Sequence, residues 1–450
     1  MTETIRKTLR DSKTARWFVL VVVAFTMFCG YFITDVMAPL MDLLKDEFSW
    51  TATEYGIFNM AYGWLNVFLF MLIIGGMVLD KLGAKKTGIG ACLLMIIGCG
   101  LKYYAVSQAF GGEIMGLRTQ VFYACIGFAI FALGIEMAGI TVTKVIARWF
   151  KGYEMALAMG IQVAIARLGT ALAMSTTIPL AKQFGSLSAP ILLGLGALCI
   201  GLIAFLVYCV MDKKLDASEV ALHEEPEEPF KLKDIISVIN NKGFWLIALL
   251  CVLFYSAVFP FLKYATSLMI NKYHIAPELA GNIPAILPFG TILLTPLFGG
   301  IYDKIGKGAT IMIIGASMLI VVHALFAAPI LNIWWFAAFL MILLGVAFSL
   351  VPSAMWPSVP KIIPQNKLGT AYSLIFWVQN IGLSLVPLLI GWVLDNYCIV
   401  TEDGGEKYDY TLPMLIFTGF GILAVLVAFL LKREDKKKGY GLEMPNIRKS

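Results

Sequence analysis

The sequence predicts an all-α membrane protein of twelve transmembrane helices in two pseudo-symmetric six-helix bundles, and three observations carry that prediction. The 450-residue chain is 59% apolar and only 14% charged, where a soluble domain carries about 25% charged residues. Its mean hydropathy is +0.82, and its apolar residues fall into runs of about 20 residues or more, enough to cross a hydrocarbon core as helix. One long polar stretch, 211–242, interrupts these runs at mid-chain.

Span 1 covers 17–39. It follows a basic amphipathic stretch from Arg6 to Arg16 and is too long for the apolar core of a cleavable signal. Spans 2 to 6 cover 54–79, 87–107, 119–148, 154–181 and 188–210, separated by short loops that carry Gly with Lys or Arg. The polar stretch contains DKKLDASEVALHEEPEEPFKLKD with Pro226 and Pro229, which reads as a linker between bundles. Spans 7 to 12 follow at 243–271, 276–301, 308–328, 333–362, 367–394 and 411–431. The expected organisation is an N-terminal segment (1–16), a first bundle (17–210), the linker (211–242), a second bundle (243–431) and a tail (432–450).

Orientation follows from basic residues, which favour cytoplasmic loops. With both termini inside, roughly three quarters of the 35 Lys and Arg lie on the cytoplasmic side. The reverse orientation puts nearly all the basic loops on the wrong face. The eight Cys form no CxxC pair, and there are only three His. The sequence therefore implies no metal, no cofactor and no catalytic constellation, so an enzyme is not expected. No nucleic-acid partner is expected either. The lipid bilayer is the implied partner, and a monomer the expected state.

Two loops repeat. GMVLDKLGAKK (76–86) follows span 2, and GGIYDKIGK (299–307) follows span 8. Both read G-x-x-x-D-K-x-G, placing Gly76, Asp80, Lys81 and Gly83 opposite Gly299, Asp303, Lys304 and Gly306. The first Gly allows close helix packing, and Asp caps a helix start or pairs with a neighbouring helix end. The second Gly permits a tight turn, and the lysines suit an anionic inner surface. Two copies at symmetric positions indicate an internal parallel repeat, a known transporter architecture. The motif resembles the signature loop of the major facilitator superfamily. That resemblance implies gating parts that latch helices, not a substrate site.

Charge inside a span is costly, about 2.5–3.5 kcal/mol per residue at the helix centre on insertion scales. Glu136 (span 4) lies 15 residues before Lys151 in the joining loop, and Arg167 (span 5) lies 16 after it. Both therefore sit about 22–24 Å from that loop, at one depth. They either neutralise each other or bind the ammonium and carboxylate of a zwitterion, and a substrate can displace such a pair. Asp35 and Lys263 occupy equivalent places in spans 1 and 7. They form a candidate outer gate, paired when the site faces inward. Lys144 reads as a lysine snorkelling to the interface. Asn66, Gln379 and Asn380 are midplane polar groups, suited to a substrate amide or to helix-to-helix bonding. Tyr31, Tyr62, Tyr255, Trp356 and Trp377 are candidate cavity aromatics.

Further strings narrow the resemblance. They are YGWLNV (62–67), Glu136 ahead of RWFKGYE (148–154), ARLG (166–169), AVFPF (257–261), Trp356-Pro357, LGTAY (368–372) and QNIGL (379–383). Together they resemble the lysosomal dipeptide transporter branch of the superfamily. The resemblance implies a dipeptide substrate, with Glu136 taking its amino terminus and Arg167 its carboxyl terminus. The chain departs from that pattern at Leu65, where the branch has proline, and at Lys263, where it has a small or apolar residue. Lys263 can add preference for an acidic side chain. No Asn-x-Ser/Thr sequon occurs, so a bacterial inner (plasma) membrane is expected in place of a lysosome. The accessory subunit of the branch is not carried over.

The expected function is alternating-access transport of a small zwitterion, most simply a dipeptide, with proton coupling left open. The alternatives are an organic-anion or sugar-acid carrier using Arg167 and Lys263, and a non-transporting membrane receptor or sensor. The second would be expected to add a soluble domain.

Overall fold

The computed structural model describes residues 9–151, 153–219, 232–364, 367–402 and 405–445. Among these, eleven helices are long and apolar enough to cross a membrane, and the twelfth crossing is assembled from shorter pieces. In the first half, α1 (Lys13–Asp35) leads to α2 (Met41–Phe48). The second crossing follows as α3 (Ala52–Met60), α4 (Tyr62–Asn66) and the first part of α5 (Met71–Ser107). Gly83, at φ 76° and ψ 166°, interrupts α5 and separates that crossing from the third. Helices α6 (Thr119–Trp149), α7 (Met155–Phe184) and α8 (Ala189–Glu219) complete the half. After α9 (Leu232–Ile239), the second half comprises α10 (Lys242–Asn271), α11 (Pro277–Ala280), α12 (Asn282–Ile305) and α13 (Gly308–Ala327). It ends with α14 (Trp334–Ile362), α15 (Leu368–Tyr397) and α16 (Thr411–Lys438).

The structure changes three expectations. Span 2 is not one helix: the chain turns at Val67–Phe70, with Phe70 at φ 55°. At the break the Val67 carbonyl keeps only a long bond from Phe70 N (3.4 Å), and Trp377 of the other half donates its indole N–H to it at 3.0 Å. The Phe70 and Trp377 rings stack at 5.5 Å. A backbone break at membrane depth persists where protein satisfies it in this way. Span 6 does not end at 210. Helix α8 runs on to Glu219 because Asp212 and Asp216 share a face that meets Arg148 (3.1 and 2.6 Å) and Lys85. Lys144 does not merely snorkel: its ammonium pairs with Asp80 of the first repeated loop at 2.7 Å. The remainder of the expected linker up to residue 231, residues 1–8 and residues 446–450 lie outside the described residues.

The second repeated loop turns at Gly306, φ 71°, as the first turns at Gly83. It is strapped by the C-terminal tail. Lys307 N donates to Glu443 O and Gly308 N to Leu442 O, both at 2.9 Å. The Glu443 carboxylate accepts from Thr310 N at 2.9 Å and Thr310 Oγ1 at 2.8 Å, capping α13.

The two halves close on each other at the end away from these basic loops. Backbones of α3 and α15 touch there: a Cβ on Gly391 would stand 2.1 Å from the Ala52 carbonyl. Asp395 at the end of α15 accepts from Ala52 N (2.9 Å) and Thr53 N (2.6 Å), capping α3 across the interface. Asp42 accepts from Ser267 Oγ (3.0 Å) and Asn271 Nδ2 (3.1 Å). Lys182 pairs with Glu278. Lys45 pairs at 3.6 Å with Glu406 of the hairpin β3–β4 (Ile399–Glu402 with Gly405–Tyr408). At the basic end, by contrast, Lys144–Asp80, Arg148–Asp212, Lys242–Glu434 and Lys432–Glu443 each stay within one half.

Candidate functional site

Glu136 projects from the middle of α6, and Tyr62 of α4 donates its hydroxyl to Glu136 Oε1 at 2.6 Å. Asn66, one turn on from Tyr62, donates to the Tyr62 carbonyl at 3.2 Å. Its own Oδ1 is buried and has no partner among the described residues. The short helix α4 therefore sets Tyr62 against the acid, with Asn66 one turn further on.

Arg167 projects from α7 into an aromatic cage. Its guanidinium carbon lies 5.1 Å from the Phe259 ring centroid, 5.5 Å from Phe348 and 5.9 Å from Tyr31. Two of those rings come from the second half, so the cage spans the interface. Cations are attracted to aromatic faces at such distances without spending their N–H donors. Among the described residues Arg167 makes no ion pair, and Glu136 and Arg167 do not bond to each other. Sequence neighbours are not the nearest neighbours here: α7 packs mainly on α1 and α12. Tyr31 of α1 lies within electrostatic range of both charges.

The cage continues into an aromatic wall of the second half. Tyr255 packs on Phe259 (5.5 Å) and Phe348 (5.6 Å) and accepts from Trp356 Nε1 at 3.0 Å. Trp356 stacks on Phe376 at 4.8 Å, and the Tyr372 hydroxyl donates to the Trp356 carbonyl at 3.3 Å. Gln379 and Asn380 are buried behind this wall. Gln379 Oε1 accepts from the Cys251 thiol at 3.3 Å, and Asn380 Nδ2 donates to the Phe376 carbonyl at 2.9 Å. Asn380 Oδ1 has no partner among the described residues. Trp377 serves the Val67 break.

Asp35 and Lys263 meet at the sealed end, Lys263 Nζ lying 2.6 Å from Asp35 Oδ1. Thr170 Oγ1 donates to the other carboxylate oxygen at 2.8 Å. Lys263 also donates to the Thr34 carbonyl at 3.1 Å.

Sequence reasoning did not single out Phe259, Phe348, Asp395 or Lys102. Phe259 stood only inside the AVFPF string and Phe348 in no motif, since aromatic residues in apolar runs look alike whether they pack or line a site. Asp395 stood at a span end, where acids are ordinary. Among the described residues, no group of His, Cys, Asp and Glu has the geometry to hold a metal ion.

The family model of the Major Facilitator Superfamily matches residues 23–387 and 264–448. The lysosomal dipeptide transporter MFSD1 of Homo sapiens is 29% identical over 394 residues, 85% of this chain and 80% of that protein. The Mus musculus protein of the same name is 29% identical over 433 residues, 93% of this chain and 87% of that one. Among solved structures, the nucleoside transporter NupG superposes with a TM-score of 0.70 at 16% identity, covering 93% of this chain and 99% of that one. A bacterial homolog of the human lysosomal transporter Spinster, inward-facing and unoccupied, gives 0.69 at 15% identity, with 95% and 98% covered. At these identities the structural likenesses speak for the fold alone.

Proposed function

The chain belongs to the major facilitator superfamily and is a membrane transporter, and from that premise we propose that its cargo is a dipeptide held between Glu136 and Arg167. One observation carries the proposal. The two opposite charges are each oriented, one by a tyrosine hydroxyl and one by three aromatic faces, yet neither neutralises the other. Such an arrangement leaves an acceptor for an ammonium and a forked donor for a carboxylate. The similarity to proteins named as dipeptide transporters supports the same reading.

In this reading the sealed end is extracellular and Asp35–Lys263 is its gate. The state described is then inward-facing, and both termini lie in the cytoplasm. The basic loops support that orientation, and the absence of a glycosylation sequon supports a bacterial plasma membrane. Tyr62, Asn66, Tyr255 and Trp356 complete the pocket, and Gln379 and Asn380 support its wall. The repeated loops act as gating elements, with Asp80–Lys144 holding the first and the C-terminal tail holding the second. An organic-anion carrier would want Lys263 in the pocket, but its ammonium is spent on Asp35 and Thr34.

Uptake of labelled dipeptides into proteoliposomes, competed by single amino acids and by uronates, tests the proposal. Dipeptide uptake resistant to both competitors, and lost in Glu136→Gln and Arg167→Ala, is the expected result. If both variants keep wild-type uptake, the clamp is wrong. If uronates compete as well as dipeptides, the cargo is an organic anion.

A further inference from the structure

Lys102 takes no part in the substrate site, yet it is a fully buried lysine, with no exposure at all. It projects from α5 near the sealed end and makes no ion pair among the described residues. Its ammonium donates to the Ile33 carbonyl at 2.9 Å. It also faces the rings of Phe128 (4.4 Å), Phe131 (5.3 Å) and Phe58 (5.6 Å). Ile33 belongs to the last turn of α1, where carbonyls lack helical partners and the helix dipole is negative. The next carbonyl, Thr34, and the next side chain, Asp35, are taken by Lys263. Two lysines therefore grip one helix end. Lys102 belongs to the same half as Asp35, whereas Lys263 belongs to the other half. Asp35 and Lys263 both lie within electrostatic range of Lys102.

The consequence appears when the halves separate at this end. Lys263 must leave with its own half, which leaves the Asp35 carboxylate with the Thr170 hydroxyl but without a counter-ion. An unpaired intramembrane acid is costly and ordinarily finds a partner. Lys102 travels with α1, and its flexible four-carbon stem is anchored two residues from Asp35. We propose that Lys102 is the standing counter-ion of the gate: it holds the α1 terminus while Lys263 occupies Asp35, and it takes over the carboxylate when the sealed end opens. Space filling alone does not call for a cation here, because methionine would fill the same cage of rings.

This inference rests on reading Asp35–Lys263 as a gate, and the test separates the two. Spin labels at Glu113→Cys and Asn332→Cys, one on each half at the sealed end, report its opening by pulsed electron paramagnetic resonance in nanodiscs. Lys263→Met and Asp35→Asn are expected to raise the open population. If neither moves the distances, the gate reading fails. Lys102→Met is expected to lower the open-to-sealed ratio about tenfold and to slow uptake, while Lys102→Arg retains both. In an Asp35→Asn background Lys102→Met is expected no longer to lower the open-to-sealed ratio, because no acid is left to serve. An equal shift with and without Asp35, or no shift at all, overturns the role of Lys102 while leaving the gate standing. If Lys102→Met does not fold but the Asp35→Asn/Lys102→Met double variant does, charge pairing is the reason and the inference holds. If neither folds, the lysine serves packing and the inference is wrong.

Discussion

The Tyr62 hydroxyl donates to Glu136 at 2.6 Å, so the site acid is oriented from α4 and not neutralised by the arginine at its own depth. A hydrogen bond to a charged group contributes about 1.5–3 kcal/mol. Tyr62→Phe is therefore expected to raise the KM for dipeptide about tenfold, with a smaller effect on maximal rate. Initial-rate uptake in proteoliposomes checks this. An unchanged KM would mean that Tyr62 does not position Glu136.

Among the described residues Arg167 meets aromatic faces and no carboxylate. Arginine presents a planar fork that stacks on rings and binds a carboxylate through two parallel bonds, while lysine offers a point charge. Arg167→Lys is expected to cost at least about tenfold in dipeptide KM and to leave thermal stability nearly unchanged. Binding of a dipeptide amide, which lacks the terminal carboxylate, should be insensitive to the substitution.

Lys263 and Asp35 are partly buried, their side chains 16% and 12% exposed. Neutralising either one should expose the sealed end, read as faster labelling of Tyr55→Cys, a buried α3 position whose hydroxyl donates to the Lys263 carbonyl at 3.0 Å, by a membrane-impermeant thiol reagent applied from that side. Exchanging the two charges (Asp35→Lys with Lys263→Asp) is expected to restore slow labelling and part of the uptake. No rescue would argue that the pair is not a gate.

Gly391 lets α15 touch α3, since a Cβ there would fall 2.1 Å from the Ala52 carbonyl. Gly391→Val should prevent closure of this end without unfolding either half. The expected result is loss of uptake, with retained dipeptide binding and permanently fast thiol labelling. Asp395→Asn is the milder version, weakening a cap of about 1 kcal/mol, and should raise labelling only partly.

Asp212 is 2% exposed and accepts from Arg148, Trp149 and Lys85. Breaking a buried pair by removing one partner costs about 3–5 kcal/mol, at its lower end here because Arg148 is partly exposed. Asp212→Ala is expected to lower the Tm in detergent markedly, whereas Lys213→Ala, on the same helix, should not. Thermal unfolding of the two side by side checks it.

By itself the sequence determined the class, the twelve crossings and the two-fold repeat of the Asp80 and Asp303 loops, and it singled out Glu136, Arg167, Asp35 and Lys263 as charges within the spans. These are legible because the bilayer imposes a length on every span and a cost on every charge, and both are local properties of the chain. What only the tertiary structure decided is which groups meet. Equal depth on consecutive spans suggested that Glu136 and Arg167 can pair, but α7 packs on α1 and α12, and the arginine enters rings from the opposite half. Lys144 found Asp80, and span 2 broke at a turn whose Val67 carbonyl is met by Trp377, more than three hundred residues away. Lys102, one lysine in an apolar run, acquired meaning only when folding brought the end of α1 between it and Lys263. Periodicity and hydropathy fix how deep a residue sits, whereas partners depend on the order in which helices pack around an axis, and that order is not written in any one span.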